Sequence, residues 1–582
     1  MPEEHETIES RSSASQEVYQ QTKFMAWFEK AFPWLLVSGA ALGLTLMIIL
    51  PIIFFQEKTA EQLLAQSNLR LALLYTTGGV IAALGLLETY RKNTNDRAKA
   101  NADINATLKN QEHQTKVLKE QIRQFDENAF KERKAERRER YTKAVEQLGD
   151  EKAPIRMGGV YTLVGLVDEW LEEKSLSDDE RFKEGQVIIN NLCAYIRSPF
   201  TLTSYYDELS EDAPSLEGIY KDKKEEFYVD KAILDSEADV RLSIIKEIHD
   251  RIQGPDKNTP GAWSDFEYDF SGSTFFYPVD LTKSYYKKPV NFSGSTYKEG
   301  ADFTGSTYKG WANFSRSTYK GWANFSRSTY EKGVTFSTSD SRSTYEGKAN
   351  FTGSTYMGEA NFSGSTYEKG VTFSTSNSRS TYEGGANFTG STYEGGAYFS
   401  GSTYQGGADF TGSTYQGGAY FTGSTYQGGA NFIGSTYNNV ADFSGSIFYQ
   451  IVYFGTDGDN SSFSRFTDCA PQFYDETNHK NTLFGSHNND FTVDIDKGYP
   501  IDLDSKGIPL NCKFLTSEQK EYLADKLQEI DETNNKLLEV KDPKEKEELL
   551  KKLRSLNEEL HEWRKKATTV KVEDVAAEDT ES

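Results

Sequence analysis

Cysteine and histidine are scarce in this chain. Three cysteines, Cys193, Cys469 and Cys512, and six histidines are spread over 582 residues. The cysteines are far apart and odd in number. That excludes a disulfide framework and a thiolate metal cluster, and makes a reducing compartment the default. His5, His113, His249, His479, His487 and His561 show no metal-ligand spacing. A phosphate-binding loop is also missing, because the many Gly-Gly pairs are not followed by Lys-Ser/Thr. Ser-Thr pairs abound, but no base accompanies them. Asp457–Asn460 lacks the spaced carboxylates and closing Glu of a calcium loop and reads as an acidic turn. The sequence therefore offers no catalytic, cofactor-binding or metal-binding residue, no small-molecule substrate is expected, and the protein is not expected to be an enzyme.

Charge is lacking where nucleic-acid binding would need it. The net charge is −23, with the acid on either side of a nearly neutral middle. Residues 264–454 carry 13 basic and 15 acidic side chains. Without a basic surplus, nucleic acid is not an expected partner. Long apolar runs are limited to two. Pro33–Phe55 has no charged residue and is long enough to cross a bilayer at 1.5 Å per residue. A second uncharged run, Leu71–Leu87, lies in a span read as 71–90. Lys23 and Lys30 precede the first run, and Arg91, Lys92, Arg97 and Lys99 follow the second. The two runs read as a two-pass anchor, expected in an inner (cytoplasmic) membrane, and the positive-inside rule puts both termini in the cytoplasm. Neither span has an ionisable residue at its middle, which argues against a transporter or proton relay.

What the chain has in plenty is one short pattern. Phe388, Phe399, Phe410, Phe421, Phe432 and Phe443 fall eleven residues apart, and Tyr393, Tyr404, Tyr415, Tyr426 and Tyr437 keep the same period. Backwards, the register runs through Phe325, Phe314, Phe303 and Phe292 to Leu281 and Phe270. It slips twice by four residues, after Phe336 and after Phe373, within the near-identical segments Glu331–Gly347 and Glu368–Gly384. A fixed short period means a solenoid whose units bury their apolar residues only by stacking on neighbours. Two or three Gly per unit and the lack of a 3.6 spacing exclude helix. The pattern predicts short strands with the aromatic inward, a small residue two positions before it, Gly at the corner, and Phe and Tyr ladders about 4.8 Å apart. Either one or two eleven-residue units could complete a coil.

Ala301-Asp302-Phe303-Thr304-Gly305, Ala349-Asn350-Phe351-Thr352-Gly353 and Ala408-Asp409-Phe410-Thr411-Gly412 resemble the consensus of the pentapeptide-repeat family. The resemblance implies a right-handed, four-faced β-helix. A sixth residue in every second unit (Gly396, Gly407, Gly418) departs from that pattern and is expected to widen one corner. Arg140–Trp170 is similar to the segment that often precedes such repeats in membrane-anchored bacterial members, and its second half resembles a HEAT-type helix.

In order, the chain reads as a disordered cytosolic tail (1–32), two transmembrane helices (33–55 and 71–90), a long helical stalk (95–148), a HEAT-like helical domain (149–252), the pentapeptide-repeat β-helix (264–454), a solenoid cap (455–515), an antiparallel helical hairpin (516–566) and a disordered acidic tail (567–582). In the stalk, Ile104, Leu108, Leu118, Ile122 and Phe125 fall on a heptad seam. That seam either pairs two copies of the chain as a coiled coil or packs on the protein's own helical domain. The basic run Lys131–Arg140 is interleaved with Glu132, Glu136 and Glu139 and reads as a solvated helix face. Thr516 with Gln519, and Asp542 with Pro543, mark two helix starts. The resulting hairpin lies on the cap or on a partner.

The expected function is a non-enzymatic, membrane-tethered scaffold whose partners are the lipid bilayer and an unidentified protein. The alternative is inhibition of a DNA-binding enzyme such as gyrase by imitation of DNA, as the resemblance implies for some free members. The near-neutral rod weighs against it.

Overall fold

A computed structural model describes residues 6–55, 59–256, 259–455, 462–540 and 542–570. It divides into two units, one ending at Lys131 and one beginning at Glu132. The first contains helix α1 (Glu6–Phe54) and most of α2 (Ala60–Leu148). By length and composition both are able to cross a membrane. Two expectations change here. Residues 6–32, expected to be disordered, continue helically into the apolar run, because no Gly or Pro falls between Glu6 and Phe32. The second span and the stalk form one helix of 89 residues; Gly85 and Gly149 are consecutive glycines, and no Pro falls between them. The seam residues Ile104, Leu108, Leu118, Ile122 and Phe125 are exposed.

In the second unit, the end of α2 is followed by α3 (Ala153–Leu171), α4 (Asp178–Arg197), the single turn α5 (Tyr206–Leu209) and α6 (Lys224–Ile252). Pro154 occupies the first turn of α3, and Ser177 with Glu180 forms a capping box on α4. Val160, Leu163, Val164, Val167 and Trp170 are buried along α3, as its apolar periodicity predicts. The basic end of α2 is not simply solvated. Arg137 pairs with Glu173 at 3.0 Å and lies over the Trp170 ring, and Arg140 pairs with Glu169 at 2.8 Å.

The solenoid begins directly against these helices. Trp263 Nε1 donates to Asp168 at 2.8 Å, Phe266 packs edge-on to Phe182, and the first strand (Tyr268–Asp269) lies on α4. Helices thus cover the first coil, whose edge would otherwise be open.

Two eleven-residue units make one coil. Tyr268 pairs in parallel with Val290, 22 residues on, and the offset recurs along four sheets of nine, nine, eight and ten strands. Sheet I runs from Tyr268–Asp269 to Val452–Tyr453, sheet II from Thr274–Phe275 to Arg465–Phe466, sheet III from Val279–Asp280 to Ala441–Asp442, and sheet IV from Tyr285–Tyr286 to Lys513–Phe514. Each coil sends four large side chains inward, all of them rings except Leu281 in the first coil. Phe388 stacks on Phe410 at 4.9 Å, Phe399 on Phe421 at 4.9 Å, Tyr393 on Tyr415 at 4.7 Å and Tyr404 on Tyr426 at 4.9 Å. Rings of the two Phe ladders also meet edge to face, as Phe388 does Phe399 at 5.2 Å.

The remaining positions of the repeat have equally physical roles. In most coils the buried Ser before Thr-Tyr donates to a Phe carbonyl one coil earlier, Ser413 to Phe388 and Ser435 to Phe410, both at 2.8 Å. The Asn or Asp before Phe points out and accepts from the backbone two residues on, as Asp409 does from Thr411. Glycine plays two parts. The Gly of Phe-Thr-Gly takes positive φ, 63° at Gly390, and Arg316 and Arg327 adopt the same conformation at its equivalents. The Gly pairs follow the strands at bends, where a corner was expected, and there they allow one coil to rest on the next: a Cβ on Gly406 would lie 2.5 Å from the Gly384 carbonyl oxygen. The two four-residue slips become tight turns, Thr338 bridging Ser341 and Thr375 bridging Ser378, and the ladder continues from Phe336 to Phe362 at 4.7 Å.

Beyond Phe454 the ladders end on Phe466, Phe473, Phe484 and Phe491. Asp457–Asn460 lies outside the described residues, as does the acidic tail from 571. Helices α7 (Ser517–Glu539) and α8 (Pro543–Ala567) follow, with the expected caps at Thr516 and Asp542. Tyr522 stacks on Trp563, Lys526 reaches Glu559 and Lys552 reaches Glu529, so the two helices run in opposite senses. They rest not on the cap alone but back along sheet IV.

Phe362→Ala removes one rung from a ladder contacted on both sides. It is expected to destabilise the rod by about 3–5 kcal/mol, measured by urea unfolding of the full chain in detergent. A loss below about 1 kcal/mol would contradict the ladder's place in stability.

Candidate functional site

The outward row of sheet IV is built from threonine. Thr329, Thr355, Thr381, Thr403 and Thr425 follow one another at the coil spacing, their short side chains leaving room for a helix to approach. Beside them the residues after each Tyr form a second row of Glu331, Met357, Glu383, Gln405 and Gln427. Helices α7 and α8 are drawn to this face by an apolar patch at its far end. There Ile447, Leu483 and Leu515 are buried with Leu523, Ile530 and Leu560. The end of α8 is pinned to the cap, where Asn481 N donates to the Thr568 carbonyl at 2.9 Å.

Between the helices and the threonine row lies a groove of about 360 Å³, lined by both rows and by Leu537, Leu550 and Leu553 of the helices. Its charged groups come from both walls: Arg327, Glu331 and Arg379 from the rod, and Arg554, Glu558, His561 and Arg564 from α8. Arg379 pairs with Glu558. Arg564 is the unusual member. Its side chain is 5% exposed, and its guanidinium donates to Thr425 Oγ1 at 3.3 Å and to His561 Nδ1 at 2.6 Å. No carboxylate lies within ion-pair distance of it among the described residues. Burial and the neighbouring Arg379 push it down to about 9, so it remains charged at neutral pH. Burial, then Arg564 and Arg379, hold His561 down at about 4, so its ring is neutral and free to accept at Nδ1.

The contact between helices and rod is polar and incompletely paired. Glu383 Oε1, Asn534 Oδ1, Asn557 Oδ1, Gln405 Nε2 and Gln427 Nε2 are buried with no protein partner among the described residues. Burial pushes the Glu383 carboxyl up to about 7, with Asn534 opposing and Asp531 adding to the shift.

The other histidines are scattered. His249 bonds the Thr282 carbonyl, His479 faces Tyr474, and His487 packs on Phe514. Among the described residues no group of His, Cys, Asp or Glu is suited to a metal ion. Cys193 and Cys512 are buried, and burial pushes both thiols up to about 12, where a thiol is unreactive at neutral pH. The outward carboxylates Asp302 and Asp409 are engaged by their own backbone. Sequence reasoning did not find the groove. Its walls are more than 100 residues apart in the chain, and the only local trace is a basic residue, Arg564, on the apolar seam of α8.

A solenoid of four-faced coils is a structural or interaction fold. Residues 378–425 match the family model for pentapeptide repeats (9 copies), and the rod is a pentapeptide-repeat β-helix. No curated protein and no solved structure matches the chain.

A carboxyl whose folded pKa is raised contributes stability that is complete below its unfolded value, about 4.3, and is lost as pH rises through about 7. The attachment of α7 and α8 is therefore expected to loosen between about pH 5 and pH 8. Glu383→Gln should abolish that dependence. Hydrogen exchange in residues 517–567, corrected for intrinsic rates, reads it out, and equal protection at both pH values would contradict the assignment.

Proposed function

We propose that this protein is a non-enzymatic scaffold, tethered to an inner (cytoplasmic) membrane by two spans with both termini cytoplasmic, which presents its rod to a protein partner. The observation that carries the reading is the rod itself: long, nearly neutral, closed at both ends, and bearing regular outward rows on sheets I, II and III. Aromatic side chains stand out from those rows. Trp311 and Trp322 are 55% and 50% exposed, and Tyr398 stacks on Tyr420 at the surface at 4.9 Å. Tyr and Trp of this kind anchor protein interfaces.

Tethering is supported by the apolar side chains of α1 and α2. Leu42, Ile53, Val80 and Leu86 are exposed, as suits contact with lipid rather than a protein core. The exposed seam of α2 supports pairing of two copies as a coiled coil. Imitation of DNA finds no support, since the outward rows are mainly Asn and Thr and their few Asp side chains serve the backbone.

The full chain is expected to stay with membranes through an alkaline carbonate wash and to be released by detergent, whereas a variant lacking residues 30–90 should be soluble. After crosslinking in native membranes, a stoichiometric foreign protein should co-purify with the full chain and be lost with Tyr398→Ser/Tyr420→Ser or Trp311→Ser/Trp322→Ser. Recovery of the same partner without residues 264–454 would overturn the rod's part in the reading. Solubility of the full chain would overturn the tether.

A further inference from the structure

We propose that the groove between sheet IV and helix α8 is a binding site for an organic oxyanion, a phosphate or carboxylate group carried on an apolar body, with Arg564 as its principal contact. The inference is independent of the scaffold reading and rests on a cation placed where a self-contained fold would not leave one. A buried guanidinium is costly unless paired. Among the described residues Arg564 has as side-chain partners a threonine hydroxyl and a neutral imidazole, neither of which carries charge. The Arg379 guanidinium lies close enough to oppose it electrostatically, and the one acid on the rod wall of the groove, Glu331, is held by Lys309 at 3.0 Å. Glu558, which pairs with Arg379, is itself exposed at the rim.

The surroundings supply what an oxyanion needs. Because Thr425 Oγ1 accepts from Arg564, its own proton is free to donate inward. His561, neutral and occupied at Nδ1, carries its proton on Nε2. Thr403 and Thr381 continue the row of hydroxyls one and two coils away. Arg327 and Arg554 line the same groove further along, and no carboxylate pairs with either among the described residues. The volume of about 360 Å³ is in the range of a ligand site and exceeds what a bare phosphate fills. Met357, Leu537, Leu550 and Leu553 wall the rest with apolar surface. A headgroup seated at Arg564 with a short aliphatic body along those side chains matches both halves of the groove.

The test uses the full chain in detergent micelles, with inorganic phosphate, hexyl phosphate, hexanoate and hexanol as probes, read by calorimetry and by thermal unfolding. Hexyl phosphate or hexanoate is expected to bind and raise Tm, inorganic phosphate to bind more weakly, and hexanol to do neither. A response to only one of the two anions identifies its headgroup as the one the site takes. Arg564→Met should weaken binding about tenfold or more, the loss expected for a charged hydrogen bond, while leaving ligand-free Tm unchanged or higher, because an uncompensated buried charge has been replaced by an apolar side chain. Three results would overturn the proposal. They are binding of neither organic anion below millimolar concentration, equal binding by the Met variant, or a ligand-free Tm for that variant well below that of the parent, which would make Arg564 a structural tie between α8 and Thr425. Arg564→Lys, which keeps the charge but not the fork, should restore part of the anion response and none of the response to hexanol.

Discussion

Stacking of aromatic rings between successive coils is the interaction on which the rest of this molecule depends. A single 22-residue coil has no core: it holds four rings edge to edge and leaves both flat sides bare. Burying a Phe or Tyr fully is worth about 1.5–3 kcal/mol, and a well-set aromatic pair adds roughly 0.5–1.5. Almost all of that is realised only when another coil lies above or below. The backbone is arranged to permit it. Glycines at the corners let coils rest on one another, and buried serines spend their hydroxyls on Phe carbonyls of the preceding coil. Stability is therefore a property of the array, and the two ends of the array become its weak points.

Both ends are closed, by different means. At the start, a bundle of helices carrying Cys193, with Trp263 and Phe266 of the segment that follows it, packs against the first coil. At the finish, the ladders pass onto Phe466, Phe473, Phe484 and Phe491, and the chain turns back as two helices along one face. That return has a consequence for chemistry. The rod's own surface is made of short polar side chains occupied by the backbone, and offers little to a small ligand. Where α8 lies over the threonine row, side chains of a second element are brought in, and there the molecule holds a buried cation, a neutral histidine and a carboxyl that titrates near neutrality. Display of rod faces and occupation of the groove are thus separable properties of one architecture.

Much of this organisation is legible in the residues. The eleven-residue spacing of Phe388, Phe399 and Phe410 dictates a stacked solenoid, and the inward small residues Ala386 and Ser391 follow from it. The caps at Thr516 and Asp542 place the starts of the last two helices to the residue. Other features are not written locally. Whether one or two units close a coil depends on the angle turned at each corner, which Gly390 and Gly406 serve in ways composition does not distinguish. The extent of α1 and α2 was obscured because polar residues such as those at 6–32 read as tail until the absence of any helix breaker is given its weight. The groove was hidden for a simpler reason. Thr425 and Arg564 lie 139 positions apart in the chain and meet only once it has folded, and neither belongs to a motif.

The most direct test of the coil geometry is a distance between spin labels placed at Thr296 and Thr436 on the outward row of sheet II. These positions are six coil steps apart along the sheet, so stacked 22-residue coils place them about 29 Å apart at the strand spacing. A distribution centred there, after allowance for the labels, is the predicted result. A separation near twice that value would mean that each eleven-residue unit forms its own coil, and the four-ladder core and the threonine face with its groove would fall together.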